Sequence, residues 1–115
     1  MKIKSDFVTN SSSTAYFITN FSSEPKTLVD FVIENPSLID KFKKEYDFYE
    51  DNPKYTLDNL LKSAKENNFT IKPGKEKYCV FGDEDGTLIG QVFDYILRSG
   101  GHSKSFTWRY AESLR

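Results

Sequence analysis

The segment from 88 to 97 constrains the fold of this chain more than any other part of it. Its apolar side chains cover more than half of a helix circumference: Leu88, Ile89, Val92, Phe93, Ile96 and Leu97. Asp94 and Arg98 lie on the narrow polar edge that remains, at the i and i+4 spacing of an ion pair. A helix this apolar must be covered on most of its sides. The sequence therefore predicts a helix at about 88–99, capped by Thr87, within a layered fold.

Other segments have the patterns of β-strands. Period-two alternation predicts a strand at 2–8, and the apolar run at 16–18 predicts a second strand after a serine-rich loop. Apolar segments at 69–72 and 78–81 flank a Pro-Gly turn and predict a β-hairpin. The alternating aromatic residues of 106–110 predict a last strand, and their stripe is interpreted as core-facing. A base-stacking surface is the alternative interpretation of that stripe.

Three helices are predicted between the strands. Helical spacing starts at Leu28 and stops at Asn35-Pro36, where a proline suits the first position of the next helix. That second helix has an apolar stripe of Ile39, Phe42, Tyr46 and Tyr49. Thr56 caps a third helix that ends at Asn67. This order predicts a single α+β domain over 1–115, with about four helices and a small mixed or antiparallel sheet of about five strands.

Composition restricts the functional class. The 115 residues fit one domain, and 16 Lys plus Arg against 17 Asp plus Glu give a net charge of −1. The chain lacks the overall positive charge that supplies most non-specific nucleic-acid affinity, so such a partner needs a local patch. A single cysteine cannot form an intramolecular disulfide. No apolar run approaches the roughly 18 residues of a membrane span, and we expect a cytoplasmic protein without a membrane partner.

Catalytic and metal-binding patterns are weak. His102 is the single histidine, so acid–base chemistry would have to pass through it, and no nucleophile-elbow motif is present. An enzyme that uses His102 with Asp83 or Asp85 is the remaining catalytic hypothesis. The acidic loop at 83–86 fails the calcium-loop pattern, and one His with one Cys cannot complete a zinc site. We expect a protein that is not an enzyme and that binds no metal and no cofactor.

The start of the chain carries a specific string. Residues Asp6-Phe7-Val8-Thr9-Asn10-Ser11-Ser12-Ser13, followed by Phe17-Ile18, resemble a leader of many small proteins from bacteriophages, prophages and low-GC Gram-positive bacteria. The stretch from Phe81 to Arg109 is also similar to uncharacterised proteins with this leader. The resemblance transfers no catalytic or ligand-binding residue. It implies a phage or mobile-element setting, and an inhibitor of a bacterial host defence system of the anti-CRISPR type.

These patterns and the resemblance predict a non-catalytic protein-binding module whose partner is a protein of the bacterial host. The predicted contact residues are an aromatic cluster near the Asn52-Pro53 break and the acidic loop, namely Phe48, Tyr49, Tyr55, Asp83, Glu84 and Asp85. The alternative is an RNA- or DNA-binding module that combines aromatic stacking with a basic patch of Lys41, Lys43, Lys44 and Arg109.

Overall fold

A four-stranded antiparallel sheet forms the framework of the protein. The computed structural model describes residues 13–45, 53–82 and 87–114. The strands are β1 (Ser13–Asn20), β2 (Lys26–Thr27), β3 (Thr70–Ile71), β4 (Glu76–Gly82), β5 (Gly101–His102) and β6 (Phe106–Leu114). The large sheet has the order β4-β1-β6-β5, and β2 pairs with β3 in a separate two-stranded sheet. The predicted strand at 2–8 lies outside the described residues.

Four helices accompany the sheet, which confirms the predicted α+β class. They are α1 (Leu28–Glu34), α2 (Ser37–Glu45), α3 (Leu57–Glu66) and α4 (Leu88–Ile96). The predicted caps are confirmed, since the Thr56 and Thr87 hydroxyls accept hydrogen bonds from the N–H groups of Asn59 and Gly90. The last helix ends at Ile96, three residues earlier than predicted, and a turn over 97–99 then leads to Gly100, whose φ of 73° is left-handed.

The core lies between the helices and one face of the sheet, and aromatic rings fill its centre. Phe31 of α1 meets Phe93, Phe106 and Trp108 edge to face, with ring centroids 5.0 to 5.5 Å apart. Phe106 and Trp108 are buried, so the core interpretation of their stripe is confirmed and neither ring is available for base stacking. The third ring of the stripe, Tyr110, is 43% exposed.

The predicted hairpin of 69–72 and 78–81 is wrong. The β4 strand pairs with β1, and β3 pairs with β2. The fully buried Asn20 accounts for this separation, because its amide donates to the carbonyls of Ile71 and Glu24. Its backbone N–H and C=O bond to Lys75 and Gly74. The turn itself is closed by the Lys75 N–H donating to the Lys72 carbonyl, but beyond it these contacts hold both sides of the turn against β1.

Asp94 was predicted on the polar edge of α4, but it is fully buried. Thr14 of β1 donates its hydroxyl to the Asp94 carboxylate at 2.5 Å, and Tyr16 donates to the Asp94 carbonyl at 2.7 Å. The predicted pair with Arg98 forms at 3.5 Å, and the same guanidinium donates to Thr14 at 2.9 Å. This cluster of polar groups joins α4 to the central strand of the sheet.

Candidate protein-binding surface

The predicted aromatic contact cluster is not supported where the structure describes it. Tyr55 is only 3% exposed, and its ring lies 5.4 Å from that of Phe42 on α2. The prediction that Tyr55 offers exposed aromatic area is therefore wrong, because the ring completes the core beneath that helix. The other predicted contact residues, Phe48, Tyr49, Asp83, Glu84 and Asp85, lie outside the described residues.

The four residues of the alternative basic patch lie on two sides of the molecule. Lys41, Lys43 and Lys44 belong to α2, in the helical layer. Arg109 belongs to β6. It follows the buried Trp108, and because side chains alternate along a strand, Arg109 points away from the helical layer. The structure therefore does not bring these four residues together into one nucleic-acid-binding patch.

The two side chains with the best nucleophilic or acid–base chemistry lie apart from any reactive constellation in the described ranges. His102 is exposed on the short β5 strand. Cys79 is buried in β4, and burial raises the pKa of its thiol to about 12. In the described part of the chain, no three side chains among His, Cys, Asp and Glu are grouped closely enough to hold a metal ion.

The sheet face opposite the core carries exposed apolar and aromatic side chains. We call it the open face, and it consists of Phe17, Glu76, Tyr78, Val80, Arg109 and Glu112. Tyr78 is 44% exposed and Val80 is 43% exposed. The described helices pack on the other face, where Phe31 and Phe93 meet the sheet. Nothing in the three described ranges packs over Tyr78 and Val80.

Side-chain contacts fix the geometry of the open face. Phe17 lies opposite both Tyr78 and Arg109 in the strand registers. Its ring is 5.4 Å from that of Tyr78, and the Arg109 guanidinium lies 4.3 Å from its centroid as a cation–π pair. Arg109 also contacts Glu76 at 3.4 Å, and Tyr78 donates to Glu112 at 3.1 Å. The rings of Phe17 and Tyr78 are therefore held in place by their neighbours on the same sheet face.

The second apolar face of β4 is what the sequence interpretation missed. Cys79 and Phe81 point into the core, so Tyr78 and Val80 must point to the opposite side of the sheet. A strand with one solvated face has polar residues at alternate positions. The unbroken apolar run 78–81 departs from that pattern, and it is the signal by which the open face was detectable.

The β4 strand is also an edge of the sheet. The N–H of Asn20 donates toward β4, at Lys75, and the N–H of Phe21 donates toward β6, at Ser105. Because antiparallel pairing alternates, even-numbered β1 residues bond to odd-numbered β4 residues. The N–H and C=O groups of Glu76, Tyr78 and Val80 therefore point away from the sheet. Among the described residues, they form no hydrogen bond with another element.

A groove runs beside this edge on the side of the helical layer. It encloses about 250 Å³ and is lined by residues of α1, β4 and α4 and of the segment before β3, with apolar walls from Leu28, Phe69, Cys79, Phe81 and Ile89. Helix α4 borders one end, where Gly90 allows close approach to Gly82: a Cβ at Gly90 would lie 2.7 Å from the Gly82 carbonyl oxygen. The edge is therefore covered by α4 at Gly82, whereas no element of the described ranges pairs with it from Glu76 to Val80.

Comparisons with known proteins give no relative for this chain. No protein-family model, no curated protein and no solved structure matches it. The resemblance of residues 6–18 to phage-associated leaders stays a prediction. Of the helices in the described ranges, none combines the length and the hydrophobicity that a bilayer span requires.

Proposed function

We propose that the protein is a non-catalytic binding module that recognises another protein through its open face. The observation that carries this proposal is the group formed on a paired sheet by the exposed Tyr78 and Arg109 around the half-buried Phe17. Tyrosine and arginine are enriched among the residues that dominate binding energy at protein interfaces. Exposed rings on a rigid element lose little conformational freedom on binding, so more of the contact energy appears as affinity.

Charge on the open face supports a protein partner rather than a nucleic acid. Arg109 is the cation of this face, and it already contacts the carboxylate of Glu76 at 3.4 Å. Glu112 adds a second negative charge beside Tyr78. A phosphate backbone would meet two carboxylates and one guanidinium there, which is unfavourable for electrostatic attraction. A protein surface with mixed polar and apolar groups fits this arrangement.

Affinity capture with matched variants tests the proposal. Purified wild-type protein, Tyr78→Ala, Arg109→Ala and Ile33→Ala serve as bait for a bacterial lysate. Ile33 is the control because it is 59% exposed on α1, in the helical layer. We expect a stoichiometric protein partner with wild type and Ile33→Ala, and about 30-fold weaker binding with the other two variants. Recovery of no partner, or equal recovery with all four baits, would contradict the proposal.

The resemblance of residues 6–18 extends the proposal to biology. On this view the partner is a protein of a bacterial host, and binding inhibits a defence system of that host. Expression in a bacterium with an active defence system is then expected to restore phage plaque formation. Arg109→Ala is expected to remove that effect and Ile33→Ala to retain it. Plaque counts that do not differ from those of a strain without the protein would contradict the inhibitor role.

A further inference from the structure

We propose that the outer edge of β4 binds an extended segment of the partner protein by strand addition, and that the side chains of this segment that face the helical side are apolar along the groove and acidic beside Lys75 and Lys77. The inference rests on the proposed function, because it names how the partner is held and what chemistry the bound segment has. Two features carry it: the outward backbone groups of Glu76, Tyr78 and Val80, and the groove with its lysine-rich end.

The backbone of β4 supplies the affinity for any extended chain. The edge from Glu76 to Val80 presents N–H and C=O groups at every second residue, which is the spacing that an added strand matches. Main-chain hydrogen bonds then provide sequence-independent affinity, and alternate side chains provide the specificity. Charged side chains are the usual protection of an edge strand against pairing, and in β4 they are confined to Glu76 and Lys77 at its start, whereas Tyr78 and Val80 carry no charge.

The groove selects apolar side chains on one face of the added strand. Side chains of a strand beside β4 alternate between the open face and the helical side. On the helical side they enter the groove, where Leu28, Phe69 and Ile89 provide apolar walls. A volume of about 250 Å³ suits one or two aliphatic side chains rather than a large ligand.

Lysines at the start of β4 select acidic residues. Lys72, Lys75 and Lys77 line a second cavity of about 230 Å³, and Lys77 also lines the groove. The Lys77 ammonium lies 5.1 Å from the centroid of the Phe69 ring, at the junction of the two cavities. Glu76 is the single carboxylate there, and Arg109 contacts it on the open face. Among the described residues, none of the three lysines forms a salt bridge, so their charge is available to a partner.

Selection of peptides against the purified full chain tests this inference. The probe is a displayed library of random dodecapeptides, and selected sequences are resynthesised for fluorescence anisotropy. We expect apolar residues at alternate positions and an acidic residue at the end of the same alternate series, where it lies beside Lys75 and Lys77. Val80→Pro removes one outward N–H and is expected to weaken peptide binding about tenfold or more. Val80→Thr keeps that N–H and is expected to change binding less than about threefold.

Two measurements do not depend on the folding of the proline variant. Methylation of every second peptide amide is expected to abolish binding in one register and to leave the other register within about threefold of the unmodified peptide, because only alternate amides face β4. Lys72→Glu with Lys75→Glu is expected to weaken acidic peptides about tenfold, whereas Lys41→Glu on α2 leaves them unchanged.

The outcomes separate this inference from the proposed function. Equal effects of the two methylation registers, enrichment of basic peptides, or no enriched pattern would overturn strand addition by an acidic segment. A dimer that Val80→Pro dissociates would assign the edge to a second copy of the chain and would also overturn it. A partner lost with Arg109→Ala but retained with Val80→Pro would leave the proposed function standing and remove this inference alone. If peptides bind at the β4 edge but Arg109→Ala has no effect on partner capture, strand addition stands and recognition through the open face is removed.

Discussion

At the scale of single residues, Asp94 shows how one buried carboxylate connects two layers. Replacement by Asn keeps the volume and removes the charge that faces Arg98 and the Thr14 hydroxyl. We expect Asp94→Asn to lower the free energy of unfolding by about 2 kcal/mol in urea titrations, since one partner of a buried polar cluster is lost. Arg98 is partly exposed, so water offsets part of the loss.

Asp40 is the matched control, because it is an exposed aspartate on α2. Asp40→Asn is expected to change the free energy of unfolding by less than about 0.5 kcal/mol. Equal stabilities of the Asp94 and Asp40 variants would show that the buried cluster contributes nothing to the stability of the fold.

Glu34, the last residue of α1, makes the folding stability depend on pH. Burial alone would raise the pKa of this carboxyl, but hydrogen bonds from Ser105 and Ser103 outweigh burial and hold the pKa below its ordinary value. A lowered pKa in the folded state stabilises the protein above the unfolded-state pKa, and this contribution disappears as the pH falls through the folded-state pKa. We expect Glu34→Gln to cost about 1 kcal/mol at pH 7 and nothing in strong acid.

Urea titrations of wild type and Glu34→Gln from pH 7 down to pH 2 measure this difference. Glu66→Gln is the control, because Glu66 is an exposed carboxylate at the last position of α3. Its substitution is expected to leave the pH dependence of stability unchanged. A Glu34→Gln cost that stays constant across this pH range would contradict the assignment of the pH dependence to Glu34.

Sequence reasoning failed at single residues where a neighbour distant in the chain decides the environment. Asp94 has the helical position of a solvated side chain, but Thr14, 80 residues away, accounts for its burial. Tyr55 follows a loop, and its burial depends on Phe42. Local signals, in contrast, were sufficient for the helix caps, since Thr56 and Thr87 bond to backbone groups three residues away.

At the scale of elements, β4 has two faces with different roles. Phe81 is buried, and its ring lies 5.3 Å from that of Phe93. We expect Phe81→Ala to cost about 3 to 5 kcal/mol. The double variant Tyr78→Thr, Val80→Thr on the open face is expected to cost less than about 1 kcal/mol, because water already contacts both side chains. Thermal and urea unfolding of the two variants measure the contrast.

The same pair of variants separates stability from binding. Partner capture is expected to fail with the open-face double variant although its fold is retained. If the double variant is destabilised as much as Phe81→Ala, the side chains of Tyr78 and Val80 contribute to folding stability like core residues. Loss of partner capture would then report unfolding and would not support recognition by the open face.

The pairing of elements was less predictable than their existence. Periodicity identified the apolar runs at 69–72 and 78–81, and a Pro-Gly turn between them favours a hairpin. The hydrogen bonds of Asn20 to both sides of the turn override that local preference. A single polar residue on a distant strand carries no periodic signal, so the sequence gives no indication of this competition.

At the scale of the whole molecule, the order of helices and strands predicted the α+β class, because each layer must bury one apolar face. The order does not say which strand forms an edge or which sheet face stays uncovered. Those two properties define the candidate binding surface, and they follow from the position of β4 beside β1 at the end of the sheet. The site could therefore not be predicted from the order of elements. The unbroken apolar run 78–81 of β4 nevertheless indicates that both faces of this strand are apolar.

Cys79 reports on unfolding of the whole structure, because it is the single cysteine and lies in the core. A buried thiol with a pKa of about 12 has little thiolate at pH 8. We expect labelling by a disulfide reagent to be at least about 10³-fold slower in the native protein than in the urea-unfolded chain, because the reagent reaches the thiol only when the core unfolds. The urea dependence of the native rate is expected to match that of global unfolding.

The same labelling experiment can also measure peptide binding, since Cys79 lines the groove beside β4. A peptide that binds only the folded state at about 100 times its Kd is expected to slow labelling a further 100-fold or so, through the added free energy of unfolding. With Val80→Pro the same peptide concentration is expected to give much less protection. Rapid native labelling that urea does not accelerate would mean that β4 opens independently of the core, and a strand that detaches so readily cannot serve as a rigid edge for recognition.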